Sequence, residues 1–204
     1  MITLYGFQLS GNCYKIRLFL SLLGLHYENI TIDVKSSENK TPEFLALNPN
    51  GLLPVLIDND VVIYDSAAIL TYLAKTNADG VWIPKDNLGL ANVVRWLAFE
   101  QSEGRYGLAR ARAKVKQLPS PLAELGSLQE SQTIARDALA ILEEGLKNSN
   151  WLVSNEHPTI ADIACYPYTA MCSEGDISLQ EFTSIQRWIA DIENLPGYIP
   201  LPGL

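Results

Sequence analysis

Histidine is nearly absent from this chain. His26 follows the helix-ending pair Gly24-Leu25, His157 precedes Pro158, and neither has a companion at metal-ligand spacing. Cysteine is scarce as well. Cys13, Cys165 and Cys172 make an odd count without the spacing of a disulfide framework, which fits a reducing compartment. No Cys-x-x-Cys occurs, so a dithiol mechanism lacks its residues. Lys and Arg number 15 against 23 Asp and Glu, and a net charge of −8 argues against binding a phosphate backbone, which needs clustered cations. No basic stretch precedes an apolar one at the amino terminus, and no apolar run approaches the ~20 residues that cross a bilayer. These shortages lead to the expectation of a soluble, cytoplasmic protein that binds neither nucleic acid nor membrane and holds no metal.

What is present is concentrated in residues 48–66. Val55-Leu56-Ile57 and Val61-Val62-Ile63, joined through Asp58-Asn59-Asp60, read as an antiparallel hairpin. Pro54 stands where the first of these strands begins, one of the few places a sheet tolerates proline. A cis Leu53-Pro54 bond would turn the Leu53 backbone outward, toward an extended peptide ligand. Asp65-Ser66 then caps a helix through Ala74, so a carboxylate, a hydroxyl and a positive helix end meet. That combination suits a zwitterionic amino-acid head group, its ammonium on Asp65 and its carboxylate on Ser66 and the helix amides. The competing reading is a hairpin followed by an ordinary capped helix.

Upstream, Ile2 to Phe7 reads as a strand, Ser10-Gly11-Asn12 as a capped turn, Cys13 to Leu23 as a helix apolar on nearly every face, and Tyr27 to Val34 as a second strand. A short helix follows at Pro42 to Leu47. The order β-α-β-α-β-β-α predicts a mixed four-stranded α/β sheet with helices on both faces. The chain here resembles the cytosolic glutathione transferases, and within them the bacterial serine-type members. The resemblance rests on Ser10-Gly11-Asn12-Cys13-Tyr14-Lys15-Ile16-Arg17, Thr41 to Gly51, Leu53-Pro54-Val55-Leu56 and Asp65-Ser66-Ala67-Ala68-Ile69. It continues through Ala91 to Leu97 and Pro158 to Ala164, spanning nearly all 204 residues.

The resemblance implies a thioredoxin-like glutathione-binding domain over 1–76, a linker over 77–87 where Gly, Pro, Asn and Asp cluster, and an all-α domain over 88–204. In the helical part, Leu90, Val93, Val94, Leu97 and Ala98 form one apolar stripe and Ala135, Ala138, Leu139, Leu142 and Leu146 another. Phe182, Ile185, Ile189 and Ile192 mark a last helix, and Thr159 to Asp162 has capping-box spacing.

By the same resemblance Ser10 stabilises the glutathione thiolate, with Asn12 sharing or replacing it. The physics agrees: a hydroxyl at a helix start can lower a thiol pKa, one charge-assisted hydrogen bond contributing about 1.5–3 kcal/mol and each pKa unit representing about 1.4 kcal/mol. Plain capping explains Ser10 too. Asn39 falls at the glycine-carboxylate contact, where several relatives have His, and Lys40 beside it is the preferred substitute because a cation suits a carboxylate. Asn50, Leu53, Pro54, Asp65 and Ser66 fall on the rest of the glutathione site, and Leu52 stands where a polar contact is frequent. Arg105, Tyr106 and Tyr168 are the expected walls of a second-substrate pocket. Arg105, Arg110, Arg112, Lys114 and Lys116 read either as a basic stretch drawing anions or as a solvated helix face. Tyr5 reads as wall or core, and the cysteines as buried small hydrophobes.

The expected activity is conjugation of the glutathione thiolate to small hydrophobic electrophiles by a homodimer. The alternatives are a glutathione-dependent disulfide or peroxide reductase and a non-enzymatic glutathione-binding module.

Overall fold

Alternation decides the first strand. In β1 (Ile2–Gly6), Ile2, Leu4 and Gly6 are buried while Thr3 and Tyr5 are only partly covered, the period-two pattern of a strand between two unlike faces. In the computed structural model, which describes residues 1–77 and 80–201, α1 (Gly11–Leu22) follows, then β2 (Tyr27–Thr31), α2 (Pro42–Leu47), β3 (Val55–Asp58), β4 (Val61–Tyr64) and α3 (Ser66–Asn77). The sheet order is β2-β1-β3-β4, with β1 parallel to β2 and antiparallel to β3, and β3 antiparallel to β4. This is the expected thioredoxin-like arrangement.

Tyr5, Ile30, Leu47 and Leu53 pack against a cluster of Ile32, Phe44 and Val55, with the Tyr5 and Phe44 rings edge to face at 6.5 Å. Tyr5 is therefore a core residue. Leu4 and Leu56, opposite each other in register, are fully buried, and α1 packs against α3. β2 stops at Thr31 rather than Val34. Asp33 Oδ1 accepts from the backbone N–H groups of Lys35 and Ser36, and this local turn draws the chain out of the sheet.

The chain divides into two units, Met1–Asp79 with Leu195–Leu204, and Gly80–Asn194. The described residues 195–201 thus group with the first unit, whereas the resemblance places them in the helical domain. The Tyr14 hydroxyl donates to the Ile199 carbonyl at 2.6 Å and the Ser21 hydroxyl to the Gly197 carbonyl at 2.7 Å, so α1 holds the segment by side-chain to backbone bonds that no periodicity announces. Ala78 and Asp79 of the expected linker lie outside the described residues.

In the second unit α4 (Asn87–Phe99), a π-helical stretch Glu100–Ala109 and α5 (Arg110–Val115) run without a break. α6 (Leu128–Leu146), α7 (Ile160–Ala170) and α8 (Thr183–Glu193) follow. Gly107 lets the π-helical stretch approach α6: a Cβ there would lie 2.7 Å from the Ala135 nitrogen. The stripe expected on α6 is the buried one. That on α4 is not, because Trp96 and Val93 go inside while Val94 is 55% exposed and Leu90 is also exposed. The box Thr159-x-x-Asp162 forms, and Asp162 does more than cap. Fully buried, it accepts from the N–H groups of Leu152 and Thr159, the Thr159 hydroxyl and the Trp188 indole.

Candidate functional site

Strand register brings the predicted residues of the first unit to one end of the sheet. Tyr5 pairs with Val55 and Val55 with Tyr64, so Gly6, Pro54 and Asp65 come next along three adjacent strands. The loop from Gly6 leads to Ser10 at the start of α1, Pro54 closes the Asn48–Leu53 loop, and Asp65 leads directly into α3.

Ser10 caps α1. Its extended backbone places Oγ to accept from the Cys13 N–H at 3.3 Å, and the same side chain hydrogen-bonds the Cys13 thiol. α1 carries no acidic residue in its first turn, so nothing cancels the positive end of the helix. Asn12 is half-buried, and its Oδ1 accepts from the Lys15 ammonium at 2.8 Å. Cys13 turns inward and is fully buried, its sulfur accepting from the Phe7 N–H. Burial pushes this thiol up, against its hydrogen bonds, so it is a poor nucleophile. Sequence reasoning gave no role to Lys15 and Arg17. Both are buried, and Arg17 donates to the Gln8 carbonyl at 3.0 Å, bracing the loop that precedes Ser10.

The Asn48–Leu53 loop is organised by a residue that sequence reasoning also passed over. Asn48, 2% exposed, donates from Nδ2 to the Leu52 carbonyl and accepts at Oδ1 from the Asn50 N–H. Its signal was the Asn-Pro-Asn-Gly turn composition itself. Gly51 has φ +59, and a Cβ there would sit 2.6 Å from the Lys40 Nζ and 2.9 Å from the Asn39 carbonyl, so both the backbone conformation and the space require glycine. Asn39 is buried and donates to the Gly51 carbonyl at 2.7 Å, which commits its amide to the loop. Lys40 is exposed and its ammonium rests on the Asn50 and Gly51 carbonyls, at 3.2 and 3.1 Å. The Leu53-Pro54 bond is cis.

Asp65 is exposed with φ +75, in the left-handed region that costs a non-glycine residue on the order of 1 kcal/mol. One carboxylate oxygen accepts from the Ala67 N–H at 2.9 Å. Ser66 beside it is buried. The sheet end thus offers hydroxyl, amide, ammonium and carboxylate groups around an exposed loop. Among the described residues no group of three or more His, Cys, Asp and Glu could hold a metal ion.

The second unit treats its polar residues differently. The basic stretch is not uniformly a solvated face: Arg110 and Arg112 are buried, while Lys116 is exposed. Arg112 pairs with Glu174 at 2.7 Å, Arg110 donates to Ser131 at 2.8 Å, and Lys114 donates to the Ala123 carbonyl. Tyr106 lines a shallow cleft of about 340 Å³ with Ser102, Glu103, Arg110, Glu130 and Ile134. Arg105 stacks near the Tyr106 ring at 5.8 Å. Tyr168, on α7, is not among the lining residues.

Family models match both units: the glutathione S-transferase N-terminal domain over residues 1–75 and the C-terminal domain over 126–196. A glutathione S-transferase structure from Pseudomonas fluorescens superposes with TM-score 0.90 at 35% identity, covering 98% of each chain. The chain belongs to the glutathione S-transferase family. Among curated relatives of this chain, glutathione S-transferase 2 of Schizosaccharomyces pombe is 33% identical over 88% of this chain and 80% of its own. The disulfide-bond oxidoreductase YfcG of Escherichia coli is 28% identical over 97% of this chain and 92% of its own.

Proposed function

We propose that this family member is a serine-type-like bacterial glutathione transferase that seats glutathione at the sheet end of residues 1–76 and conjugates its thiolate to small hydrophobic electrophiles. The observation that carries the reading is the Ser10 hydroxyl at the uncompensated start of α1, at the same sheet end as the exposed Asp65 carboxylate. Asp65 with Ser66 takes the γ-glutamyl end. Leu53 and Pro54 present backbone to the cysteinyl unit, and Lys40 with Asn50 takes the glycine carboxylate, while Asn39 shapes their loop. The sulfur then lies at Ser10 and Asn12. One hydroxyl and the helix dipole together can favour thiolate by about 2–3 kcal/mol, enough to populate it at neutral pH. The sulfur attacks carbon, and the leaving group departs with the bonding pair. Arg105, Tyr106 and Tyr168 of the helical part 88–204 serve the electrophile.

The similarity to YfcG favours a second reading, in which the same thiolate attacks a disulfide or a peroxide. A homodimer is supported by exposed apolar side chains on β4 (Val61, Val62, Tyr64) and on α4 (Leu90, Val94). Three free cysteines support a reducing, cytoplasmic setting. A panel of aryl and alkyl electrophiles, disulfides and hydroperoxides, each with and without glutathione, tests the assignment. Turnover of electrophiles supports conjugation, turnover of disulfides or peroxides alone supports the second reading, and no turnover of any leaves a binding module.

A further inference from the structure

Lys15 is fully buried, and its ammonium donates to Asn12 Oδ1 at 2.8 Å. Burying a charge in the second turn of a helix is expensive unless it is compensated, so this bond has a reason to be held. An ammonium only donates, and a carboxamide facing it must present oxygen. That settles which end of the Asn12 side chain points inward. The Nδ2 amide is therefore the outer end of a half-exposed side chain, two positions from Ser10, and among the described residues no protein group takes its hydrogens.

We infer that Lys15 is a positioning residue: it locks the Asn12 carboxamide so that Nδ2 stands as a second hydrogen-bond donor to the sulfur at the front of α1, beside the Ser10 hydroxyl. The inference rests on the reading that a thiolate forms there. Without Lys15 the amide rotates freely and presents oxygen to the sulfur part of the time, and a carbonyl oxygen repels a thiolate. The other titratable or charged groups of this helix are already committed, Arg17 to the Gln8 carbonyl, Cys13 to the Phe7 N–H and Tyr14 to the Ile199 carbonyl, so none competes for Asn12.

Lys15→Met keeps the length of the side chain and removes the ammonium; Lys15→Gln keeps a donor without the charge. In the glutathione complex, Lys15→Met is expected to raise the pKa of the bound thiol and to lower kcat/KM about tenfold below that pKa, while affinity for glutathione stays within about twofold. Lys15→Gln should recover part of the loss. In an Asn12→Ala background Lys15→Met should cost nothing further, because its only route to the sulfur is gone. An equal loss in that background, or no loss in the wild type, overturns the inference and leaves Lys15 a packing or field residue. Side-chain amide NMR of Asn12 in the ligand-free protein reads its orientation without glutathione. Resonances unmoved by either Lys15 substitution overturn the lock directly. If the wild-type complex shows no thiolate while those resonances do move, the functional reading fails but the lock stands.

Discussion

Asp65 and Asp162 are both aspartates at the start of a helix, one in each unit, and they are used in opposite ways. Asp162 is fully buried and accepts from four donors, so it is closed to any ligand. Burial pushes its carboxyl up against the pull of those bonds. Asp65 is exposed, sits on a left-handed backbone, and gives one oxygen to the Ala67 N–H. The same contrast separates Arg112, closed onto Glu174, from Lys40, exposed on a loop. Asp162 and Arg112 are consumed in holding helices together, whereas Asp65 and Lys40 stand exposed at the sheet end.

Breaking the closed member should cost the most stability. Asp162→Ala strands four donors in the interior, and unfolding in urea should show a loss on the order of 3–5 kcal/mol. A loss below about 1 kcal/mol would mean that water or rearrangement satisfies those donors.

Asp65→Ala should show the reverse balance. Stability should change by no more than about 1 kcal/mol, the worth of a cap. Glutathione binding should weaken by about 2–4 kcal/mol if the ammonium pair is desolvated. Calorimetry with glutathione and with an analogue lacking the γ-glutamyl unit separates the two effects. Equal losses for both ligands would remove Asp65 from the head-group role.

How much of this contrast could be read from the chain depends on how local each signal is. Ser10, Asp65 and the Asn-Pro-Asn-Gly loop were legible because caps and turns are written within three or four residues. The four strands were legible because alternation and β-branched runs are local too. The burial of Arg110 and Arg112 was not, since it depends on partners 21 and 62 positions away, Ser131 and Glu174. The exposed Val94 was misread for the same reason. Periodicity gives a helix an apolar stripe, but Trp96 on a neighbouring face decided which side went inward. The hold of α1 on the segment carrying Gly197 and Ile199 rests on hydroxyl-to-carbonyl bonds, which carry no sequence pattern.

A smaller effect sharpens the account of the helical unit. α8 has no side-chain cap of its own, and Glu143 of α6 supplies one, accepting from the N–H groups of Ser184 and Ile185 at 2.9 and 3.0 Å. Burial raises the Glu143 carboxyl, but these bonds outweigh it and hold the group below its ordinary value of 4.5. A depressed carboxyl contributes stability that is fully present above its unfolded value and is lost as the pH falls through the folded one. Glu143→Gln should cost about 1 kcal/mol at neutral pH and flatten the loss of stability below about pH 4.5. Thermal melts of both proteins across that range measure it, and parallel curves would mean that the carboxylate is not the cap that matters.

The front of α1 is tested most directly by the thiolate absorbance of the glutathione complex titrated against pH. The wild-type complex should form thiolate at lower pH than free glutathione. Ser10→Ala should move the titration upward by one to two pH units, as expected for one charge-assisted hydrogen bond of about 1.5–3 kcal/mol, with little change in affinity. A wild-type complex that titrates like free glutathione would contradict the account. A Ser10→Ala titration that stays in place while Asn12→Ala shifts it would transfer the activating role to the Asn12 amide.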